Sequence, residues 1–406
     1  MSIRRMAALG LSAAMVLGAC TTGGGATSAP SAAASAPAAS EPAASGSAAA
    51  TECTVGVSWN NFQQPRWAAT DQPNIKKTVE DGGGTFIEAD ANLSNEQQLT
   101  DVDTLISQGA NVLILLAQDQ NAILPAVQKA KDEGIPVIAY DRLIEDPAIL
   151  YITFDNVKVG EAEAAAVLEK VPTGNYVLIK GDPGDPNAST FLPQGWDNAG
   201  LKTKVDAGEI KILNMSGEAW PKDAGTYTAA WKTETAQSNM EAIIDKAVAD
   251  GNKIDAILAE NDSTALGVVG ALTAKNYGFP PLSGQDGDKA NLNNVALGKQ
   301  YVDVWKNSNE LGKAAGAAAL ELCKGGDMAA LTLPDGLLDP TVAPADGLTA
   351  KDFTTPGNNT VKSFILQPTP LTAENLNLVI DGGWITKDEL CAGVDVAAAT
   401  APAACK

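Results

Sequence analysis

Val112-Leu-Ile-Leu-Leu-Ala117, a helical pattern over Ala122–Glu133, and Gly134-Ile-Pro-Val-Ile-Ala-Tyr140 follow one another in a chain of 406 residues. The first run is apolar throughout and too short for a helix, so it reads as a strand buried on both faces. Gly134 closes the helical segment, and Val137–Tyr140 is a second strand of the same kind. Strand, helix and strand in this order, with uninterrupted apolar strands, indicate a parallel sheet covered by crossover helices.

The alternation extends in both directions. Upstream lie a strand Thr54–Ser58, a helix from about Arg66 to Asp81 stopped by Gly82-Gly83-Gly84, and a strand Thr85–Ala89. A helix then starts at Ser94, where Ser-Asn-Glu-Gln reads as a capping box, and runs to Gln108. Downstream lie a strand Ile149–Phe154 and an alanine-rich helix Val157–Val171. The pattern then restarts with strand Tyr176–Lys180, a helix near Ser189–Leu201, strand Ile210–Asn214, helix Thr233–Asp250, strand Ile254–Ala259 and helix Ser263–Asn276. Two rounds predict an α/β protein of two doubly wound parallel-sheet domains, in keeping with the roughly 350 residues that follow Glu52.

The N-terminus has a different character. Arg4 and Arg5 precede an apolar run, Met6–Leu17, and then Leu17-Gly18-Ala19-Cys20. This is the layout of a secretory signal over residues 1–19, and Leu-Gly-Ala-Cys resembles the lipobox of bacterial lipoproteins, which implies cleavage before Cys20 and diacylation of its sulfur. The run is too short to span a bilayer, which takes about 20 residues. Residues 21–50 are Ala, Ser, Gly, Pro and Thr with one charge, Glu41, and carry no large apolar side chain. Such a segment cannot bury enough surface to offset its chain entropy, so residues 20–51 read as a lipidated tether.

Composition removes several function classes. The formal charge is 28 − 49 = −21, which disfavours phosphate backbones and anionic lipids as partners. There is no histidine, so Ser-His-Asp and Cys-His nucleophile systems and His-ligated metals are excluded. No Walker motif or G-x-G-x-x-G follows a strand, and no nucleotide or other cofactor is expected. Gly181–Asn187 gathers acids without EF-hand spacing, so no metal is expected there either. Beyond Cys20 remain Cys53, Cys323, Cys391 and Cys405. These allow three pairings, of which loop length favours Cys391–Cys405 and leaves Cys53–Cys323.

Ligands of open parallel sheets sit at the carboxyl ends of the strands. Polar and aromatic residues recur there: Asn60 to Trp67 after the first strand, Asp141-Arg142, Asp185-Pro186-Asn187, Asn261-Asp262, and Gln285-Asp286 after Pro281–Gly284. Carboxylates, carboxamides and guanidinium groups match vicinal hydroxyls, and an indole matches the C–H face of a pyranose, so this inventory suits a sugar. Each residue also has a plainer reading. Asp141, Asn261 and Asp286 are positioned as helix N-caps, Arg66 as a solvated helix residue and Trp67 as core.

Gly134-Ile-Pro-Val-Ile-Ala-Tyr-Asp-Arg142, Tyr151-Ile-Thr-Phe-Asp-Asn156, Val159-Gly160, Lys253-Ile-Asp-Ala256, Asn261-Asp-Ser-Thr-Ala265 and Ser283-Gly-Gln-Asp286, in that order, resemble the pentose/hexose branch of the type I periplasmic binding proteins, most closely bacterial D-xylose-binding proteins. The resemblance covers about Thr54 to the C-terminus. It implies a monomeric sugar-binding component of an ABC importer, with a permease and its ATPase as partners and no chemistry on the sugar. By position it implies that Arg66, Asp141, Arg142, Asn187, Asn261, Asp286 and Lys306 bond to the sugar, with Trp67 and Trp231 on its two faces. It also implies hinge closure about three crossings near Phe154–Val157, Val304–Lys306 and Gln367–Thr372, joining an N-terminal lobe (52–155 with 306–368) to a C-terminal lobe (156–305 with 369–406).

There are departures from the xylose pattern: Ser189 where lysine is familiar, Asn60-Asn61 where acids are, and a longer Asn214–Trp231 stretch that makes Trp220 a rival for stacking. Glucose, or glucose and xylose together, is therefore an alternative cargo. The other readings are a glycosidase using Asp141 and Asp286 as its carboxylates, a sugar sensor for a membrane receptor, and a ligand-responsive transcription regulator. The last would need a DNA-binding helix pair where the leader and tether stand.

Overall fold

The structure is a computed structural model and describes residues 53–406. The expected leader, Cys20 and the segment to residue 52 lie outside the described residues. From the N-terminus come β1 (Thr54–Trp59), α1 (Gln72–Asp81), β2 (Thr85–Asp90), α2 (Asn95–Ser107), β3 (Val112–Leu115), α3 (Leu124–Asp132), β4 (Val137–Tyr140) and β5 (Ile149–Phe154). The second round comprises α4 (Asn156–Lys170), β6 (Gly174–Lys180), α5 (Leu192–Asn198), α6 (Leu201–Asp206), β7 (Ile210–Ile212), β8 (Thr226–Tyr227), α7 (Thr233–Ala249), β9 (Ala256–Ala259), α8 (Asp262–Ala274) and α9 (Lys289–Ala296). The chain ends with β10 (Asp303–Trp305), α10 (Ser308–Cys323), β11 (Lys351–Thr354), β12 (Thr360–Leu366), β13 (Thr369–Leu371), α11 (Asn377–Asp381) and α12 (Lys387–Leu390).

The first sheet runs β11-β12-β5-β4-β3-β1-β2 and is parallel except for the hairpin of β11 on β12. In the second lobe β6 is central, with β7 and β8 on one side and β9 on the other. Bridges from Ile257 to Leu282 and from Gln285 to Val304 continue that sheet to β10, which pairs antiparallel with β13. Both lobes thus place the second strand on one side of the first and a later strand, β3 or β9, on the other. The order reverses beside β1 and beside β6, the switch points where an open α/β sheet offers a crevice at its strands' carboxyl ends.

The chain passes between the lobes three times: from β5 into α4, from β10 into α10, and from β12 into β13. α10 returns to the first sheet and buries Leu311, Ala314, Ala315 and Ala318 beside Ile75 and Val79 of α1. Its small side chains let the two helices lie close. Disulfides join Cys53 to Cys323 and Cys391 to Cys405. The first ties the start of β1 to the end of α10, and the second closes the tail that packs on α9.

Several elements differ from the expected outline for local reasons. β7 stops at Ile212 because the Asn214 side chain takes over the ladder, accepting from Leu178 N–H at 3.1 Å and donating to the Leu178 carbonyl at 2.8 Å. The helix expected near Ser189–Leu201 is a π-helical turn running into α5, which ends at Asn198, and Gly200 at φ 97° separates it from α6, a helix the sequence had not indicated. At Ser94 only half of a capping box forms. Its hydroxyl accepts from Gln97 N–H, whereas the Gln97 side chain donates to Asp101.

Candidate functional site

The first lobe's contribution begins after β1. Trp67–Asp71 is a single π-helical turn, in which Gln72 N–H bonds to the Trp67 carbonyl five residues back. That wider turn is of a kind frequent at functional sites. Here it brings residues five apart together: Arg66 Nε and Nη2 lie 3.2 and 2.9 Å from the two oxygens of Asp71. Tyr140 at the end of β4 donates its hydroxyl to the same carboxylate at 2.6 Å. Fixed in this way, Arg66 reaches Asp141 with Nη2 at 3.1 Å and Asp286 with Nη1 at 2.9 Å. Its guanidinium also lies 4.2 Å from the Trp67 ring centroid. At 3 % exposure Arg66 is not a solvated helix residue.

Asp141 follows β4 with φ 61°, a conformation uncommon outside glycine. Its N–H donates to the Ile152 carbonyl at 2.9 Å and its carbonyl accepts from the Thr153 hydroxyl at 2.7 Å, so β5 holds the turn. No helix follows it, and the capping reading does not apply. Arg142 next to it is anchored by a hydrogen bond from Nη1 to the Ala117 carbonyl (3.2 Å) and places Nε 3.0 Å from Asp185 of the second lobe.

The second lobe repeats the arrangement. After β6, Asn187–Phe191 forms another single π-helical turn, and Asn187 N–H donates to Asp185 Oδ1 at 2.9 Å. Asn261 does cap α8, with Oδ1 accepting from Thr264 N–H at 2.9 Å, and it lines the cleft as well. Asp286 is not a cap. Its φ is 109°, and its N–H donates to Val304 of the hinge at 3.1 Å. Lys306, just beyond β10, places Nζ 3.2 Å from Asp141 and 3.5 Å from Asp286. Trp231, with φ 57°, packs so closely over Gly181 that a β-carbon there would collide with the indole. Trp220 lies away from the cleft, its indole N–H donating to Asp197 at 2.8 Å.

Arg66, Trp67, Asp141, Arg142, Asn187, Trp231, Asn261, Asp286 and Lys306 therefore line one cleft between the lobes. Gln64, Asp185 and Gln285 line it too and had not been singled out as site residues, although each stands in a stretch already marked by its place after a strand. A larger groove beside β7 and β8 contains none of these residues.

Burial pushes the Asp141 carboxyl up, but Lys306, Arg66 and Arg142 outweigh it and hold the group at about 2. Burial raises Asp185, against the pull of Arg142. A general acid needs a proton near neutral pH, so Asp141 is an acceptor here and not the acid of a hydrolase. Gln64 Nε2, Trp67 Nε1, Asn187 Oδ1, Trp231 Nε1 and Gln285 Oε1 are buried without a hydrogen-bond partner among the described residues. A cleft with unmet donors and acceptors, apolar rings and fixed charges suits a small polar ligand rich in hydroxyls. Among the described residues no group of three acidic, Cys or His side chains is arranged to hold a metal.

Residues 55–327 match the family described as periplasmic binding protein domain. The D-xylose-binding periplasmic protein of Escherichia coli K12 is 35% identical over 321 residues, covering 78% of this chain and 91% of that protein. An ABC transporter solute-binding protein from Clostridium phytofermentans, solved with bound β-D-glucose, is 34% identical with a TM-score of 0.70, covering 83% of this chain and 99% of that one. A carbohydrate transporter solute-binding protein from Chloroflexus aurantiacus, in complex with D-glucose, is 27% identical with a TM-score of 0.71, covering 83% and 98%. These similarities, together with the two-lobed parallel-sheet fold, establish that the chain belongs to the periplasmic binding protein domain family, whose members bind solutes rather than transform them.

Proposed function

We propose that this chain is the extracytoplasmic receptor of an ABC sugar importer, closing its two lobes around one neutral monosaccharide, D-xylose or D-glucose. The observation that carries the reading is the convergence of polar and aromatic groups from both lobes on one buried cleft. Arg66, Asp141 and Arg142 bond to the sugar from the first lobe, Asn187, Asn261 and Asp286 from the second, and Lys306 from the hinge. Trp67 and Trp231 face the C–H surfaces of the ring. Four carboxylates (Asp71, Asp141, Asp185, Asp286) stand against three cations (Arg66, Arg142, Lys306), a balance that disfavours uronates and sugar phosphates. The relatives named above include proteins for xylose and for glucose, which supports an aldopyranose without choosing between them.

In this reading the hinge divides the chain at 155/156, 305/306 and 368/369, and a permease with its ATPase recognises the closed form of the monomeric receptor. The sulfur of Cys20 carries the lipid, and residues 21–51 tether the lobes to the membrane. Calorimetry of the purified protein with D-xylose, D-glucose, L-arabinose, D-ribose, D-galactose and D-glucuronate tests the cargo. One-to-one binding of xylose or glucose, with none of glucuronate, is expected. No heat with any neutral monosaccharide would overturn the reading. Incorporation of labelled palmitate that is lost in Cys20→Ala tests the anchor.

A further inference from the structure

Behind Asp286, on the side away from the cleft, two carboxyl groups face each other without a cation. Asp262 opens α8 directly after Asn261, and Asp303 opens the hinge strand β10. Both have no exposure to solvent. The cations of the cleft are engaged elsewhere: Arg66 and Lys306 pair with Asp141 and Asp286. Asp262 and Asp303 share one donor instead. Gly287 N–H lies 3.0 Å from Asp262 Oδ2 and 3.2 Å from Asp303 Oδ1, and Asp288 N–H lies 2.7 Å from Asp262 Oδ2. Asp262 Oδ1 and Asp303 Oδ2 accept from no donor among the described residues, and the shared Gly287 N–H sets the two carboxyl groups side by side. Two carboxylates in such contact cannot both ionise cheaply. One proton between them converts a repulsion into a hydrogen bond.

The donors of this arrangement are the two residues that follow Asp286. Asp286 and Gly287 have φ of 109° and 84°, and the first of these is a conformation that a residue with a β-carbon adopts only when its surroundings impose it. We propose that Asp262 and Asp303 are positioning residues that share one proton between α8 and the hinge strand β10 and thereby fix the turn presenting Asp286 to the ligand. The ligand role of Asp286 rests on the function proposed above; the shared proton does not.

The surroundings support retention of the proton. Burial, then Asp303, pushes Asp262 well above the carboxylate range. Burial likewise raises Asp303, against a hydrogen bond with Asp262 and with the help of Asp288 and Asp286. The charged or titratable groups facing the pair are Asp286 and Asp288 on the turn itself, Glu163 on α4, and Lys306 and Arg66 beyond Asp286. Asp288 is pushed up to about 7 by burial and by Asp286, and burial also raises Glu163; both are carboxyl groups, so neither offers the pair a cation in any protonation state.

The test compares the wild-type protein with Asp262→Asn, Asp303→Asn and Asp303→Ala. An Asn amide donates permanently where the proton did, so both Asn variants should bind D-xylose or D-glucose within about threefold of wild type at pH 6. Wild-type affinity should fall at least about tenfold between about pH 6 and about pH 10 as the pair ionises, and the Asn variants should lose that fall. Asp303→Ala should bind about tenfold more weakly than wild type already at pH 6. A flat wild-type profile, or an equal fall in the Asn variants, would overturn the proposal. Proton release on unfolding at neutral pH, read by potentiometry without any sugar, should differ by about one proton between wild type and each Asn variant. Equal release would overturn the shared proton. A difference of one proton alongside no sugar binding would retain the pair and reject the sugar reading.

Discussion

Arg142 of the first lobe meets Asp185 of the second with Nε 3.0 Å from Oδ2, both side chains almost fully buried. A charge pair enclosed in this way stabilises closure only while both members are present, because either alone is a desolvated charge. Arg142→Ala should therefore weaken monosaccharide binding by about 3 kcal/mol, or ~150-fold, as measured by calorimetry. Asp185→Asn, which leaves the Arg142 guanidinium buried without its carboxylate, should weaken binding by a similar amount. Small-angle scattering should show the unliganded Arg142→Ala protein more open than wild type. Unchanged affinity would remove this pair from the closing contacts.

Gly181 offers a test that touches no ligand-bonding group. Its missing side chain is the space into which Trp231 packs, and a β-carbon there would collide with the ring. Gly181→Ala should displace the indole and reduce affinity roughly 10- to 100-fold, close to the effect of Trp231→Ala, for the loss of one aromatic contact with its packing. The double variant should bind little worse than either single one, because both remove the same contact. Additive losses would mean that Gly181 acts through something other than Trp231.

Much of this cleft was legible in the chain because a parallel sheet sends its strand ends to one edge. Asp141 directly follows the apolar run of β4 and Asn261 stands two residues beyond β9, while Asn187 and Asp286 lie in loops further on, and the alternation of strands brings those loops to one edge. What was not legible depends on backbone geometry that composition does not encode. Asp71 holds Arg66 only because a π-helical turn brings residues five apart into contact, whereas in a regular helix the neighbours are three and four apart. Asp262 stands beside Asn261 where α8 begins, and nothing in its spacing to Asp303 signals that the fold brings the two side chains to one shared donor. The early stop of β7 likewise turns on one Asn side chain that imitates a strand.

The two disulfides should differ in what they contribute to stability. Cys53–Cys323 closes a separation of 270 residues, and Cys391–Cys405 one of 14. Loop-closure entropy assigns roughly 5.6 kcal/mol to the first and about 3 kcal/mol to the second. Urea unfolding of Cys53→Ser/Cys323→Ser should accordingly show the larger loss, and Cys391→Ser/Cys405→Ser the smaller. The reverse order would mean that the tail on α9 matters more to the fold than the link between β1 and α10.

Asp141 gives the cleft an acid limit whose sign can be worked out. Burial raises its pKa, but Lys306, Arg66 and Arg142 more than compensate and hold it at about 2, against 3.8 for a free side chain. The folded carboxyl thus binds its proton less readily than the unfolded one. Its stabilising contribution, about 2 kcal/mol, is fully present above the unfolded value and is lost as pH falls through about 2. Asp141→Asn should therefore be less stable than wild type by about that amount at neutral pH, with the gap between their urea midpoints closing on acidification toward about pH 2. Because Asp141 stays ionised well below neutrality, its share of ligand binding should be the same at about pH 5 as at about pH 7. A gap that is independent of pH, or that widens in acid, would show that the three cations do not hold this carboxylate in the folded protein.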